Sequence, residues 1–339
     1  VSGYNAESGL AELRAMQQVF ESGPLVRATA QGLESWQPLN RSLWRYLQPF
    51  MTLQAGQTGR CRRIDGHDIH YWEGGNPEGP TLVLLHGFGA CKENWAFLAP
   101  RLASRFHLLM PDLPGFGLSS FVSTADYSLA AQADRLAQWL IALGRDNVFV
   151  TGSSMGGAIA ALLAARHPGL VAAVCLMNAA GAPALHMSML ESGIAAGRNY
   201  LVPARRSEVA QVFGICLHRR QRALGAFLAL AMAGEMAHRL PLNQYLFSCM
   251  VASLGEVWQS LPTIRQPTLI LWGDSDRVLD VTCGDALAGQ LDNARMMVLP
   301  QVGHLPMLEE PRTTGQVMAD FWLSHHSGIA ATPADALQI

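Results

Sequence analysis

Asn147-Val148-Phe149-Val150-Thr151-Gly152-Ser153-Ser154-Met155-Gly156-Gly157 is the stretch that decides the fold. Residues 147–151 are rich in β-branched and aromatic side chains and predict a strand buried on both faces. Residues 155–166 are small and apolar and predict a helix. Between the two, Gly152 and Gly156 allow a sharp turn that a Cβ at either position would obstruct. Ser154 is thereby held out of the sheet at the head of the helix. There the helix dipole and the free N–H of Met155 face any negative charge that develops. A Gly-x-Ser-x-Gly stretch alone can equally be a surface turn; the strand before it and the helix after it separate the two readings.

The same alternation extends outward from this turn. Residues 68–73, 81–85, 107–110, 171–177, 268–272 and 295–299 predict further strands. Residues 129–143, 283–291 and 311–324 predict helices. Strand and helix alternating at this spacing imply right-handed crossovers and a mostly parallel sheet flanked by helices, an α/β fold. Two regions break the rhythm. Residues 1–60 predict an N-terminal helical extension, with Trp36, Leu39, Leu43, Leu47 and Phe50 on one helix face, Arg41 and Arg45 off it, and Pro38 and Pro49 bracketing it. Residues 181–262 predict several Ala-, Leu- and Met-rich helices, an inserted cap or lid with seven arginines and four glutamates. The sheet domain is expected over 61–180 and 263–326. The tail from Ser327 is small and polar and is expected to fray.

Composition bounds the function. Of 339 residues, 50% are hydrophobic and 15% charged, which builds a large core and excludes a disordered chain. The net charge of −2 supplies no basic field for nucleic acid. Lys92 is the only lysine, an arginine bias that a GC-rich bacterial genome would produce. Cysteines at 61, 91, 175, 216, 249 and 283 have neither CxxC nor zinc-ligand spacing. They read as free thiols used as small apolar residues, in keeping with a reducing compartment. The longest apolar run, 223–234, falls short of the about twenty residues that span a bilayer. The first twenty residues carry Glu7, Glu12 and Arg14 without a signal-peptide apolar block. A cytoplasmic protein is expected, with peripheral membrane contact through the cap or residues 36–50 as an alternative.

A serine needs a base to become a strong nucleophile. His304, in Gly303-His304 just beyond the strand 295–299, sits at a strand's C-terminal end, where ligands bind in open α/β sheets. His67, His70, His167, His325 and His326 read as surface or structural residues. The base needs an orienting carboxylate. Trp272-Gly273-Asp274-Ser275-Asp276 offers two; Asp276 is chosen because the turn must travel a few residues past the strand, with Asp274 and then Asp280 as alternatives. His86-Gly87-Phe88-Gly89 follows the strand 81–85, and its glycines let the Phe88 amide approach the site as an oxyanion donor beside Met155.

Five motifs in this order resemble the α/β-hydrolase superfamily: His86 to Gly89, Pro111-Asp112-Leu113-Pro114-Gly115-Phe116-Gly117, Gly152 to Gly157, Trp272 to Asp276, and Gly303-His304 with Glu309-Glu310-Pro311. The resemblance spans 64–180 and 262–324 and is closest to bacterial lipase and esterase members with a helical cap. It implies the α/β-hydrolase fold and a Ser154–His304–Asp276 triad with no metal or organic cofactor. Asp276-Arg277-Val278-Leu279-Asp280 departs from the commoner pattern, which has a proline soon after the aspartate. Serine at the nucleophile position argues against the aspartate-using dehalogenase and epoxide-hydrolase branches. The expected activity is a serine carboxylic ester hydrolase on apolar acyl esters or lipids. Met187, Met189, Met232, Met236 and Met250 are candidates to line an adaptable acyl pocket, or simply to form the cap's core. The alternatives are a ring-cleavage C–C hydrolase and a non-catalytic binding protein on the same scaffold.

Overall fold

A computed structural model describes residues 6–22 and 29–326. The sheet consists of β1 (Gln57–Ile64), β2 (His67–Gly75), β3 (Thr81–Leu85), β4 (His107–Pro111), β5 (Val148–Ser153), β6 (Val171–Met177), β7 (Thr268–Gly273) and β8 (Ala294–Leu299). Their spatial order is β1-β2-β4-β3-β5-β6-β7-β8. β1 pairs antiparallel with β2, and β2 with β4; all later pairings are parallel. From β3 the chain moves one way to β4 and then returns to the other side of β3 as β5. The chain ends of β3 and β5 therefore open onto a crevice, the place where an α/β sheet receives ligands.

Alternation along the strands divides the interior into two cores. Val83, Leu85, Leu109, Val150, Val174 and Ile270 face the helices Leu129–Ala142 and Met155–Arg166. Leu82, Leu84, Leu108, Phe149, Cys175 and Leu271 face Trp95, Leu102 and Trp322 on the opposite side. A sheet covered on both faces explains why its central strands are uninterrupted apolar runs.

Between β6 and β7 lie the helices Met189–Ala195, Val209–Cys216, Arg222–His238 and Leu240–Ser260. Leu240–Ser260 packs on the two helices of the first core. The N-terminal region departs from the expected pattern. Among the described residues it is helical in Ala6–Ser22 and Leu43–Gln54, and from Gln57 the chain pairs with β2 as an edge strand. Trp36 and Leu39 precede the second helix, which Ser42 caps by accepting the Arg45 N–H at 3.2 Å. That cap sets the rotation of the helix. Trp44 and Gln48 are buried, Leu43 and Phe50 are exposed, and Pro49 lies inside the helix. Arg45 is not off the buried side: it pairs with Glu235 at 2.9 Å, at the end of Arg222–His238. All six cysteines are free thiols.

Candidate active site

Ser154 joins β5 to the helix Met155–Arg166 with φ 56° and ψ −119°, a conformation that side-chain-bearing residues rarely adopt. Packing holds it there. A Cβ on Gly152 would lie 2.0 Å from the Gly156 carbonyl oxygen, and one on Gly156 would lie 2.4 Å from that of Leu85. The Ser154 carbonyl accepts the amides of Gly157 and Ala180 at 2.9 and 3.1 Å, and its own amide donates to Met177 at 2.9 Å. Ser154 is 8% exposed, and its Oγ has no hydrogen-bond partner among the described residues. The Met155 amide heads the helix and so has no intrahelical acceptor.

The loops after β7 and β8 bring Asp276 and His304 together. The Asp276 side chain is buried; its Oδ2 lies 2.7 Å from His304 Nδ1, and its Oδ1 accepts the amides of Val278 and Leu279 at 2.8 and 3.1 Å. Because Nδ1 is committed to the carboxylate as a donor, Nε2 is left as the acceptor. Asp274 is turned elsewhere, accepting the Ser275 hydroxyl at 2.7 Å and the Gln301 amide at 2.8 Å. Asp280 likewise caps Thr282.

Two residues around this pair were given no role by the sequence reading, although Glu309 lies within one of its motifs. Asn178, at the end of β6 with φ 44°, donates its Nδ2 to Asp276 Oδ2 at 2.6 Å. Glu309 accepts the amides of Gly303 and Leu305, which flank the histidine, at 3.0 and 3.2 Å. Its other oxygen takes the His218 amide at 2.7 Å, and burial raises its pKa. The His304 amide donates to the Cys216 carbonyl at 2.7 Å, and Arg277 donates to the carbonyls of Gly214 and Leu217 at 2.5 and 2.8 Å. The loops carrying Asp276 and His304 thus clamp the insertion over residues 214–218.

The His86 to Gly89 loop reaches Ser154 closely enough that a Cβ on Gly87 would lie 3.2 Å from the serine Cβ. His86 has no exposure. Its Nδ1 donates to the Gly87 carbonyl at 2.8 Å, and its Nε2 accepts the Leu113 amide at 3.0 Å. Burial lowers its pKa to about 4, so the ring is neutral at pH 7 and welds the two loops. Beyond the turn at Gly89, Lys92 is buried with its Nζ 2.7 Å from Asp112 Oδ2 and 3.2 Å from Glu93 Oε1. The Lys92 amide donates to Asp112 Oδ1 at 2.7 Å. Burial opposes the charge on Asp112, but the Lys92 ammonium together with the hydrogen bonds the carboxylate accepts from Lys92 and the Leu118 amide outweighs it and holds the carboxyl below its ordinary range.

Ser154 and His304 line one cavity of about 830 Å³, mouth included. Its walls come from the Phe88 loop, from Trp44 and Met51 of Leu43–Gln54, and from Leu228, Met232 and Met236 of Arg222–His238. Of the five methionines singled out by sequence, Met232 and Met236 line this cavity and Met250 lines a second one. Met187 and Met189 instead lie at the surface, 68% and 43% exposed. No helix among the described residues is long and apolar enough to cross a membrane.

Comparison with known proteins agrees with the fold. The model of the alpha/beta hydrolase family matches residues 82–316. The chain is 29% identical to monoacylglycerol lipase ABHD6 of Homo sapiens, over 73% of this chain and 77% of that protein. It is 30% identical to Lipase 1 of Psychrobacter immobilis, over 72% and 77% respectively. Among solved structures it is similar to a membrane phospholipase A described as a bacterial virulence factor, with a TM-score of 0.73 and 34% identity. That likeness covers 84% of this chain and 91% of the other.

Proposed function

Because the chain belongs to the alpha/beta hydrolase family and is a hydrolase of the lipase and esterase type, we propose that it cleaves apolar acyl esters through an acyl-enzyme formed on Ser154. One observation carries this reading. Ser154 and His304 line the same apolar cavity, while Asp276 occupies the far nitrogen of the histidine. The Ser154 Oγ attacks the ester carbonyl carbon as its proton passes to His304 Nε2. The electron pair displaced onto the carbonyl oxygen is held by the amides of Phe88 and Met155. Collapse breaks the bond to the alcohol oxygen, which takes the proton back from His304. Water then repeats the sequence on the acyl-serine, releasing a carboxylic acid and restoring the hydroxyl. Lipid esters are the favoured substrates: the cavity walls are mostly hydrocarbon, with Glu93 and Asn94 among the polar exceptions, and the relatives are named for lipid hydrolysis.

A fluorophosphonate probe should label the wild type and not Ser154→Ala, which should also lose hydrolysis of p-nitrophenyl esters. Full esterase activity in Ser154→Ala would falsify the mechanism. Cleavage of a dienoic diketone with no ester hydrolysis would move the reading to a C–C hydrolase.

A peripheral contact with an anionic lipid surface belongs to the same reading. Leu43, Tyr46, Phe50 and Leu53 are spaced as one stripe along Leu43–Gln54 and are 49–79% exposed. Phe227 and Leu230 are exposed on Arg222–His238, which begins beside exposed Arg219, Arg220 and Arg222. Both helices wall the cavity holding Ser154. Apolar side chains bordered by arginines suit the boundary between headgroups and acyl chains.

A further inference from the structure

Ser154 lines a second cavity as well, on the other side of Phe88 and Leu201. This one holds about 690 Å³, mouth included, and its far wall is the helix Ala6–Ser22, through Leu13 and Met16. Its walls are apolar apart from Ser154 and Glu191, and the Glu191 carboxylate accepts the Ser188 amide at 2.7 Å in a helix cap. Leu13, Met16, Ala182 and Ile194 also border a groove that continues outward to the surface. A mainly apolar route, with Glu12, His186 and Glu191 along its outer groove, therefore runs from Ser154, beneath the N-terminal helix, to solvent. Gly9 seats that helix: a Cβ there would lie 2.4 Å from the Trp258 ring. Leu13 is 4% exposed.

The two cavities differ in one chemically decisive respect. His304 lines the first and not the second. In ester hydrolysis the leaving oxygen must meet the histidine that protonates it, whereas the acyl carbon stays on the serine. The alcohol limb accordingly extends into the first cavity, and the acyl limb into the second. We propose that Ala6–Ser22 is the wall of an acyl channel, that Leu13 and Met16 set the chain length it accepts, and that the enzyme takes esters with apolar limbs on both sides of the scissile bond. This rests on Ser154 being the acylated residue. Among the described residues lining the second cavity there is no cationic side chain, which disfavours acyl groups with an anionic end.

The test uses two ester series on the full chain. One varies the acyl group from butyrate to laurate on p-nitrophenol; the other varies the alcohol from ethyl to dodecyl on butyrate. Met16→Trp fills the channel from its far wall. It should lower the laurate-to-butyrate ratio of kcat/KM at least tenfold, since each methylene denied burial costs about fourfold. It should leave the dodecyl-to-ethyl ratio of the alcohol series within twofold. Gly9→Leu lies outside the channel and unseats the helix from Trp258; it should lower the acyl ratio while butyrate hydrolysis persists. A change confined to the alcohol series, or no change in either ratio with either variant, would overturn the assignment. Fluorophosphonate labelling of Ser154 is read in parallel. Labelling with unmoved ratios sinks the channel alone, whereas ester hydrolysis that survives Ser154→Ala sinks the underlying mechanism.

Discussion

Asn178 is the residue whose contribution is easiest to overlook. It closes an apolar strand, and nothing in Leu176-Met177-Asn178-Ala179 announces a contact 98 positions away. Its Nδ2 and the His304 ring share the same Asp276 oxygen, so it fixes that carboxylate from the side opposite the backbone amides of Val278 and Leu279. Asn178→Ala should lower kcat about ten- to a hundredfold with KM little changed, the pattern of a positioning residue. Steady-state kinetics on a single p-nitrophenyl ester would show it. Asp276→Asn should cost about 10⁴ in kcat by reversing the histidine's tautomer. Asp274→Asn should cost only a few-fold, because Asp274 holds Ser275 and Gln301 instead. Equal losses would move the orienting role. Ser154, Asp276 and His304 were readable because each lies just past a strand end, where small residues and turns leave a pattern. Asn178 acts across the fold, and a contact of that kind leaves no spacing to read; Glu309 lies within the motif that follows His304, but nothing in that spacing announces its bond to the His218 amide.

Among the elements, the loops joining β3 and β4 to their followers stand or fall together. His86 bonds across to Leu113, and Lys92 bonds across to Asp112. The folded protein keeps His86 neutral down to about pH 4, whereas an unfolded histidine takes up its proton near pH 6.5. Between those values the unfolded chain binds more protons than the folded one. The contribution of His86 is therefore complete above pH 6.5, falls as pH drops, and is spent near pH 4; the span is about 3 kcal/mol. Urea melts at pH 7 and pH 4.5 should show a smaller pH-dependent loss in His86→Asn than in the wild type. An equal loss would assign the effect to other groups. Lys92→Met strips a buried carboxylate pair of its cation and should destabilise by about 3–5 kcal/mol. The elements themselves were legible wherever an apolar run or a helical period marked them. β1 was not: Gln57-Thr58-Gly59-Arg60-Cys61-Arg62-Arg63-Ile64 carries charge on both faces, as suits an exposed edge strand held by backbone bonds to β2. The helix at Leu43 was misplaced for a related reason. Its rotation is set by the Ser42 cap and by the Arg45–Glu235 pair, and that pair spans 190 positions.

For the whole molecule, the N-terminal helices are more than decoration on the sheet. One carries the exposed stripe and the other walls the second cavity. A lipid entering between Leu43–Gln54 and Arg222–His238 would reach Ser154 without first crossing bulk water. Phe50→Ser with Leu53→Ser should reduce flotation with anionic liposomes while leaving hydrolysis of a dispersed short-chain ester unchanged. Equal flotation of the variant and the wild type would remove the stripe from the contact. The ion pair Arg45–Glu235 and the bond from Arg239 to the Gly115 carbonyl join extension, insertion and sheet into one body. The break in strand–helix rhythm is what suggests dividing the chain into extension, sheet domain and insertion. The joints leave no such mark, because they are single polar residues inside apolar helices.

Lys92 has a practical consequence of another kind. It carries the only ε-amine in the chain, and it is 3% exposed and locked between two carboxylates. Reagents that acylate lysines should therefore find almost nothing to modify on the native surface apart from a chain-terminal amine. Each tag that mass spectrometry locates at Lys92 would record one molecule whose interior had opened. The protein thus carries a built-in, single-site gauge of unfolding that could be followed through heating, storage or immobilisation.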